Sequence, residues 1–108
     1  MNTPKSQPER RKYARTKASV QLELRTEASD VPIRVETTDI SVTGCYVEMS
    51  ITLEVGTKLA IGLWLGNRKV TTAATVVTRH PQFGNGIEFL DMVEQDRSAL
   101  RQYLELKN

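Results

Sequence analysis

An all-β body closed by one C-terminal helix is what the sequence predicts, and three observations predict it. Six short stretches between residues 18 and 90 read as strands, most by apolar side chains at every second position, the period of a strand with one buried face, and one by its β-branched content. Turn-forming residues separate these stretches at short intervals. From Val93 the period lengthens to that of a helix, with Val93, Leu100, Tyr103 and Leu104 near one face and Glu94 and Asp96 in the first turn, where carboxylates complement the helix dipole.

Each strand has its own signature. Val20, Leu22 and Leu24 alternate with Gln21, Glu23 and Arg25 in the first, and Glu27 to Asp30 supply a turn. Ile33 and Val35 point inward in the second, which starts after Pro32 and ends near Thr38. Cys45, Val47 and Met49 oppose Tyr46 and Glu48 in the third. In the fourth, Leu59, Ile61, Leu63 and Leu65 alternate with Ala60, Gly62 and Trp64, so both faces are mostly apolar and a central position is expected. Gly66 and Asn67 form a two-residue hairpin into a β-branched fifth strand, from Lys69 to about Arg79, which Pro81 ends. Gly84, Asn85 and Gly86 lead into a sixth, carrying Ile87 and Phe89. Closing such a sheet into a small barrel removes its exposed edges. The pattern does not give the order of strands within it.

With 108 residues, 39% of them hydrophobic and 26% charged, the chain has the size and composition of one compact domain. No apolar run is long enough to span a bilayer and no signal peptide is visible, so the expected location is the cytoplasm, without membrane insertion. A single cysteine, Cys45, and a single histidine, His80, supply neither a disulfide nor a metal-ligand spacing; no metal and no cofactor are expected. Cys45 reads as a small core residue, His80 as a strand end beside Pro81, and Trp64 as a packing or partner-facing side chain. No nucleophile, general base and orienting group occur as a set, so the chain is not read as an enzyme.

Charge is unevenly distributed. The formal net charge is +2, yet residues 1 to 17 carry Lys5, Arg10, Arg11, Lys12, Arg15 and Lys17 against Glu9 alone, leaving the remainder net acidic. Residues 1 to 8 have two prolines and no large apolar side chain after Met1, and are expected to be a disordered tail ahead of a flexible arginine arm at 9–17. Such an arm suits an anionic partner, although a solvated basic tail has the same composition. Within it Arg11 and Arg15 stand four apart, with Arg10 and Tyr13 beside them. Further on, Asp39, Ser41 and Gly44 hold positions one, three and six of Asp-Ile-Ser-Val-Thr-Gly, read as a tight connection between strands two and three where side chains and backbone converge. In isolation, Asp39 and Ser41 also suit an Asx-type turn that merely satisfies backbone amides.

The two stretches together resemble the RxxxR and [D/N]xSxxG motifs of PilZ domains. Gly84, Gly86, Ile87 and Phe89 resemble the Gly-x-Gly-[Ile/Val]-x-Phe stretch that precedes that family's C-terminal helix. The likeness covers about residues 9 to 106 and implies a six-stranded antiparallel β-barrel with the arm entering strand one and the Asp-x-Ser turn between strands two and three; the strand and helix patterns place this domain at 9–108, with the barrel at 18–90 and the helix at 93–106. It also implies a bacterial receptor for cyclic di-GMP, in which Arg11 and Arg15 are the arm's ligands and Asp39, Ser41 and Gly44 the floor of the pocket. Arginine forks suit guanine edges and phosphates, and Asp39 suits guanine's N–H donors. Tyr13, Gly84 and Gly86 are candidates for additional contacts. Arg10 offers a guanidinium to a second nucleotide, so two molecules per domain are expected, the alternative being a solvated Arg10. Binding would order the arm and change the surface shown to an unidentified downstream protein effector. The rival readings are a PilZ-like adaptor that binds protein and no nucleotide, and a barrel that binds nucleic acid, the latter disfavoured by the scarcity of surface aromatics for a stacking platform.

Overall fold

The computed structural model describes residues 15–107. Six strands and one helix follow in order: β1 (Gln21–Thr26), β2 (Ile33–Ile40), β3 (Gly44–Glu48), β4 (Lys58–Leu65), β5 (Arg68–His80), β6 (Gly84–Leu90) and α1 (Glu94–Glu105). All pairings are antiparallel, and the sheet closes on itself in the order β1-β2-β3-β6-β5-β4. Two three-stranded meanders, β1-β2-β3 and β4-β5-β6, therefore meet edge to edge twice, β3 against β6 and β1 against β4. Closure leaves no unpaired edge. It also gives β4 two neighbours like every other strand, so its apolar outer face does not mark a central position. Gly62 is covered there by the Lys69 stem, and the Lys69 ammonium lies 5.2 Å from the Trp64 ring centroid, leaving that side chain partly exposed.

Inward side chains fill the barrel. Val20, Leu22 and Leu24 from β1 and its approach, Leu59, Ile61, Leu63 and Leu65 from β4, Val70, Ala74 and Val76 from β5, and Ile87 and Phe89 from β6 are all buried. Met92, Leu100 and Leu104 extend the same cluster, so α1 covers the barrel rather than standing apart. Val93 is not part of that face. It occupies the N-cap in an extended conformation and is 60% exposed, because the helix begins one residue later than the apolar spacing predicts. Gly66, at φ 68°, takes the first position of the two-residue β4–β5 turn, as a hairpin of that length requires.

Two irregularities decide which way key side chains face. In β2, Thr37 pairs with Val47 but Asp39 pairs with Tyr46, leaving Thr38 as an extra residue. In β5, Val76 pairs with Ile87 but Thr78 pairs with Gly86, leaving Val77 extra. Each bulge shifts the side-chain alternation by one. Without the first, the parity of Ile33, Val35 and Thr37 would aim Asp39 into the core; with it, Ile40 takes the buried position and Asp39 faces outward.

The nine-residue link from β3 to β4 (49–57) is fastened across the barrel end. Met49 N–H donates to Phe83 O, Gly56 N–H to Val76 O, and Val76 N–H to Thr57 O. Asn85, fully buried in β6, accepts from Leu53 N–H and donates to Leu53 O and Thr78 O.

Candidate functional site

Around the start of the described chain, the last arginine of the first stretch meets the second stretch. Thr16 forms an isolated antiparallel bridge with Ile40, its N–H donating to Ile40 O at 2.8 Å and its carbonyl accepting from Ile40 N–H at 2.9 Å. That bridge carries the chain past the end of β2 and sets Arg15 beside Asp39. Arg15 Nη1 donates to Asp39 Oδ1 at 2.6 Å, with the two side chains 25% and 30% exposed. The segment thus enters along the end of β2 before β1 begins at Gln21. Asp39 is a strand residue, one short of the end of β2, where the sequence predicted a turn position. The bulge at Thr38 supplies the outward orientation that a turn was expected to give.

The connection itself is Ser41-Val42-Thr43. Ser41 N–H donates to Gly44 O at 2.8 Å, and Ser41 Oγ accepts from Thr43 N–H at 3.1 Å. The same hydroxyl lies 3.1 Å from Thr43 Oγ1 and 3.4 Å from Gly44 O. At 2% exposure, Ser41 braces the loop from within. Gly44 has a different constraint: a Cβ there would sit 2.3 Å from Ile87 O, so β3 and β6 approach as closely as they do only because position 44 has no side chain. Opposite the loop, Phe89 N–H donates to Thr43 O.

Cys45 follows on the inward face of β3, fully buried, and burial pushes its thiol up to about 12. The Arg15 charge counters this and the Asp39 charge adds to it, both more weakly. The group is a neutral thiol at physiological pH, a filler of the core beneath the ion pair.

Gly84 and Gly86 belong to β6 and line up with the outer face of β3. Gly86 pairs with Tyr46, the residue that pairs with Asp39 on the other side, so Asp39, Tyr46, Gly86 and Thr78 form one row across four strands. Gly84 lies under the Tyr46 ring. Arg10, Arg11 and Tyr13 lie outside the described residues. Reading by motif passed over Tyr46, noted only as an outward residue of strand three, and over its hydrogen bond to His80, 34 positions away. The sequence signal for Tyr46 was an outward aromatic two residues beyond Gly44; nothing in the sequence links it to His80.

The fold has counterparts among known proteins. The chain is similar in structure to the inhibitor of motility MotI/DgrA of Bacillus subtilis, at 24% identity and a TM-score of 0.76, covering 90% of this chain and 50% of that one. The chain therefore spans about half the length of MotI/DgrA. It is also similar to the PilZ domain of CeSA from a cellulose-synthesizing bacterium, at 23% identity and a TM-score of 0.66 over 88% of this chain and 99% of that one. A third likeness is to the PilZ domain of YcgR from Escherichia coli, solved with c-di-GMP, at 17% identity and a TM-score of 0.74 over 91% of both chains. No curated protein matches by sequence. At these identities the structural likenesses speak for the fold alone, whereas the PilZ domain family model matches residues 9–106, nearly the whole chain. On that match, the chain belongs to the PilZ domain family.

Proposed function

We propose that the chain is a receptor for cyclic di-GMP, which Arg11 and Arg15 clasp from the arm against Asp39, Ser41 and Gly44, and that it performs no catalysis. The observation that carries this reading is the 2.6 Å ion pair between Arg15 and Asp39. Residues 24 positions apart in sequence, one from each motif, share a single partly open spot on the barrel's outer face. Membership of a family that includes the YcgR domain, solved with c-di-GMP, supplies the ligand class.

The chemistry divides among the residues. Arg15 uses one Nη1 donor on Asp39, and the guanidinium fork has further donors for a phosphate oxygen or for guanine O6 and N7. Asp39 accepts from guanine's N–H edge. Ser41 and Gly44 act through the loop they shape, setting the height of the backbone beneath the ligand. Arg11 closes from the other side, and Arg10 serves a second nucleotide, giving two per domain. Of the arm expected to order on binding, residues 8 to 16, Arg15 and Thr16 are already tied to Asp39 and Ile40; engaging the ligand fixes the residues before them, at an ordering cost of about 2–5 kcal/mol drawn from the gross interaction energy, and the fixed arm presents a new surface to a protein effector. The support for this step is the arm's basic, apolar-poor sequence.

Calorimetric titration with cyclic di-GMP tests the reading. Wild type is expected to bind, with Arg11→Ala, Arg15→Ala and Asp39→Ala each weakening binding by about tenfold or more, the scale of a lost charge-assisted hydrogen bond. Arg15 and Asp39 lie outside the core cluster, so their removal leaves it untouched. A wild-type chain that gives no heat overturns the receptor reading and leaves a nucleotide-free adaptor.

A further inference from the structure

Beside Asp39 on the outer face, a tyrosine lies flat against the sheet. The Tyr46 ring runs over Gly84, where a Cβ would come within 2.8 Å of both Cε2 and Oη. Its hydroxyl is tied to His80 Nδ1 at 2.8 Å, with the two ring centroids 5.7 Å apart. His80 faces this side because of the β5 bulge, just as Asp39 does because of the β2 bulge. Two departures from regular pairing thus flank β3 and β6 and turn polar groups toward one aromatic ring, and Gly84 removes the side chain that would lift that ring off the sheet.

The ring is also one wall of a recess of about 400 Å³, lined by Tyr46, Glu48, Met49, Ser50, Gln82 and Phe83. Phe83 is 72% exposed, at the tip of the β5–β6 turn where Gln82 adopts φ 70°. Glu48, two residues beyond Tyr46 on the same face, brings a carboxylate to the recess. An immobilised aromatic face, a second exposed aromatic and an acceptor at the margin are what a flat heterocycle with N–H donors along one edge requires.

We propose that this recess is a guanine subsite in which Tyr46 is the stacking shelf and Glu48 accepts from the base's N1–H and N2–H₂ edge. The inference rests on the cyclic di-GMP reading above and adds a base contact beyond its two motifs. His80 ties only the hydroxyl end of the ring and touches no ligand; the flat lie itself comes from the missing side chain at Gly84, which a phenylalanine ring would share. Adenine has no N1–H and presents a different edge, so Glu48 favours cyclic di-GMP over cyclic di-AMP.

The test is calorimetric titration of wild type, Tyr46→Ala, Tyr46→Phe and Glu48→Gln with both dinucleotides, together with the Tyr46 ring resonances of the wild type followed by NMR. Tyr46→Ala is expected to weaken cyclic di-GMP binding about ten- to hundredfold, the loss of one base–aromatic stack, while Tyr46→Phe keeps most of the affinity. Glu48→Gln narrows the preference over cyclic di-AMP by about tenfold. At saturation the Tyr46 ring protons move upfield, a readout that stands even where Tyr46→Ala fails to fold. If wild type binds cyclic di-GMP but Tyr46→Ala binds it equally well and the ring resonances stay in place, the subsite is overturned and the receptor reading survives. If wild type binds no cyclic di-GMP, both fall.

Discussion

At Gly44 the distance to Ile87 O leaves no space for a methyl group, and the opposing atom is backbone rather than a side chain that could swing away. Gly44→Ala is therefore expected to push β3 from β6 and cost about 3 kcal/mol, the upper part of the overpacking range, read as a fall in the urea midpoint at unchanged slope. Asp39→Ala, on the partly exposed outer face, is expected to leave that midpoint nearly in place. The contrast separates two members of one motif: Gly44 serves the close approach of β3 and β6, whereas Asp39, in the proposed function, meets the ligand directly. Their spacing was legible in the sequence because carboxylate, hydroxyl and glycine each have a chemical reason to recur at those positions. The orientation of Asp39 was not. It depends on an extra residue in β2, and a bulge is a property of strand pairing that alternation along one strand does not state. The one trace was Ile40, an apolar residue at the wrong parity for a strand whose inward positions are 33, 35 and 37.

The strands themselves were legible because most bury one face and so keep a period of two; β1 shows it in its buried Leu22 and Leu24, and β4 in Leu59, Ile61, Leu63 and Leu65. What a local pattern cannot contain is which polar residue will be drawn inside. Asn85 stands in a Gly-Asn-Gly stretch read only as the lead-in to the sixth strand, yet it is fully buried and bonds Leu53 N–H, Leu53 O and Thr78 O. Thr37 is comparable: its hydroxyl donates to Ala18 O and accepts from Val20 N–H where the chain enters β1. Both side chains replace backbone partners where regular pairing stops. Asn85→Ala would strand the Leu53 amide and carbonyl under the 49–57 link, and is expected to destabilise the domain by about 2–4 kcal/mol. Amide exchange should then accelerate most at Leu53. A change confined to β6, with Leu53 still protected, would show that the link is held without Asn85, by its remaining bonds to Phe83, Val76 and Arg79.

At the scale of the molecule, the two seams β3–β6 and β1–β4 join residues far apart in sequence, so barrel closure was reached from the sequence only through the need to hide edges and through family likeness. Closure also fixes how binding should couple to stability. Among the described residues, the six barrel strands, the helix and the buried core all lie between Thr16 and Lys107. In the proposed mechanism, by contrast, Arg11 and its neighbours contribute only when nucleotide is present. A chain lacking residues 1–14 is therefore expected to melt without ligand close to the wild-type Tm. For the full chain, ligand at a hundredfold excess over Kd adds about 2.7 kcal/mol, which for a domain of this size raises Tm by roughly 10–20 °C. The truncated chain keeps Arg15, Asp39 and the loop but loses Arg10 and Arg11, and its rise at the same ligand concentration should be small. An equal rise in both chains would mean that the barrel face alone holds the nucleotide and that the arm's charge serves some other contact.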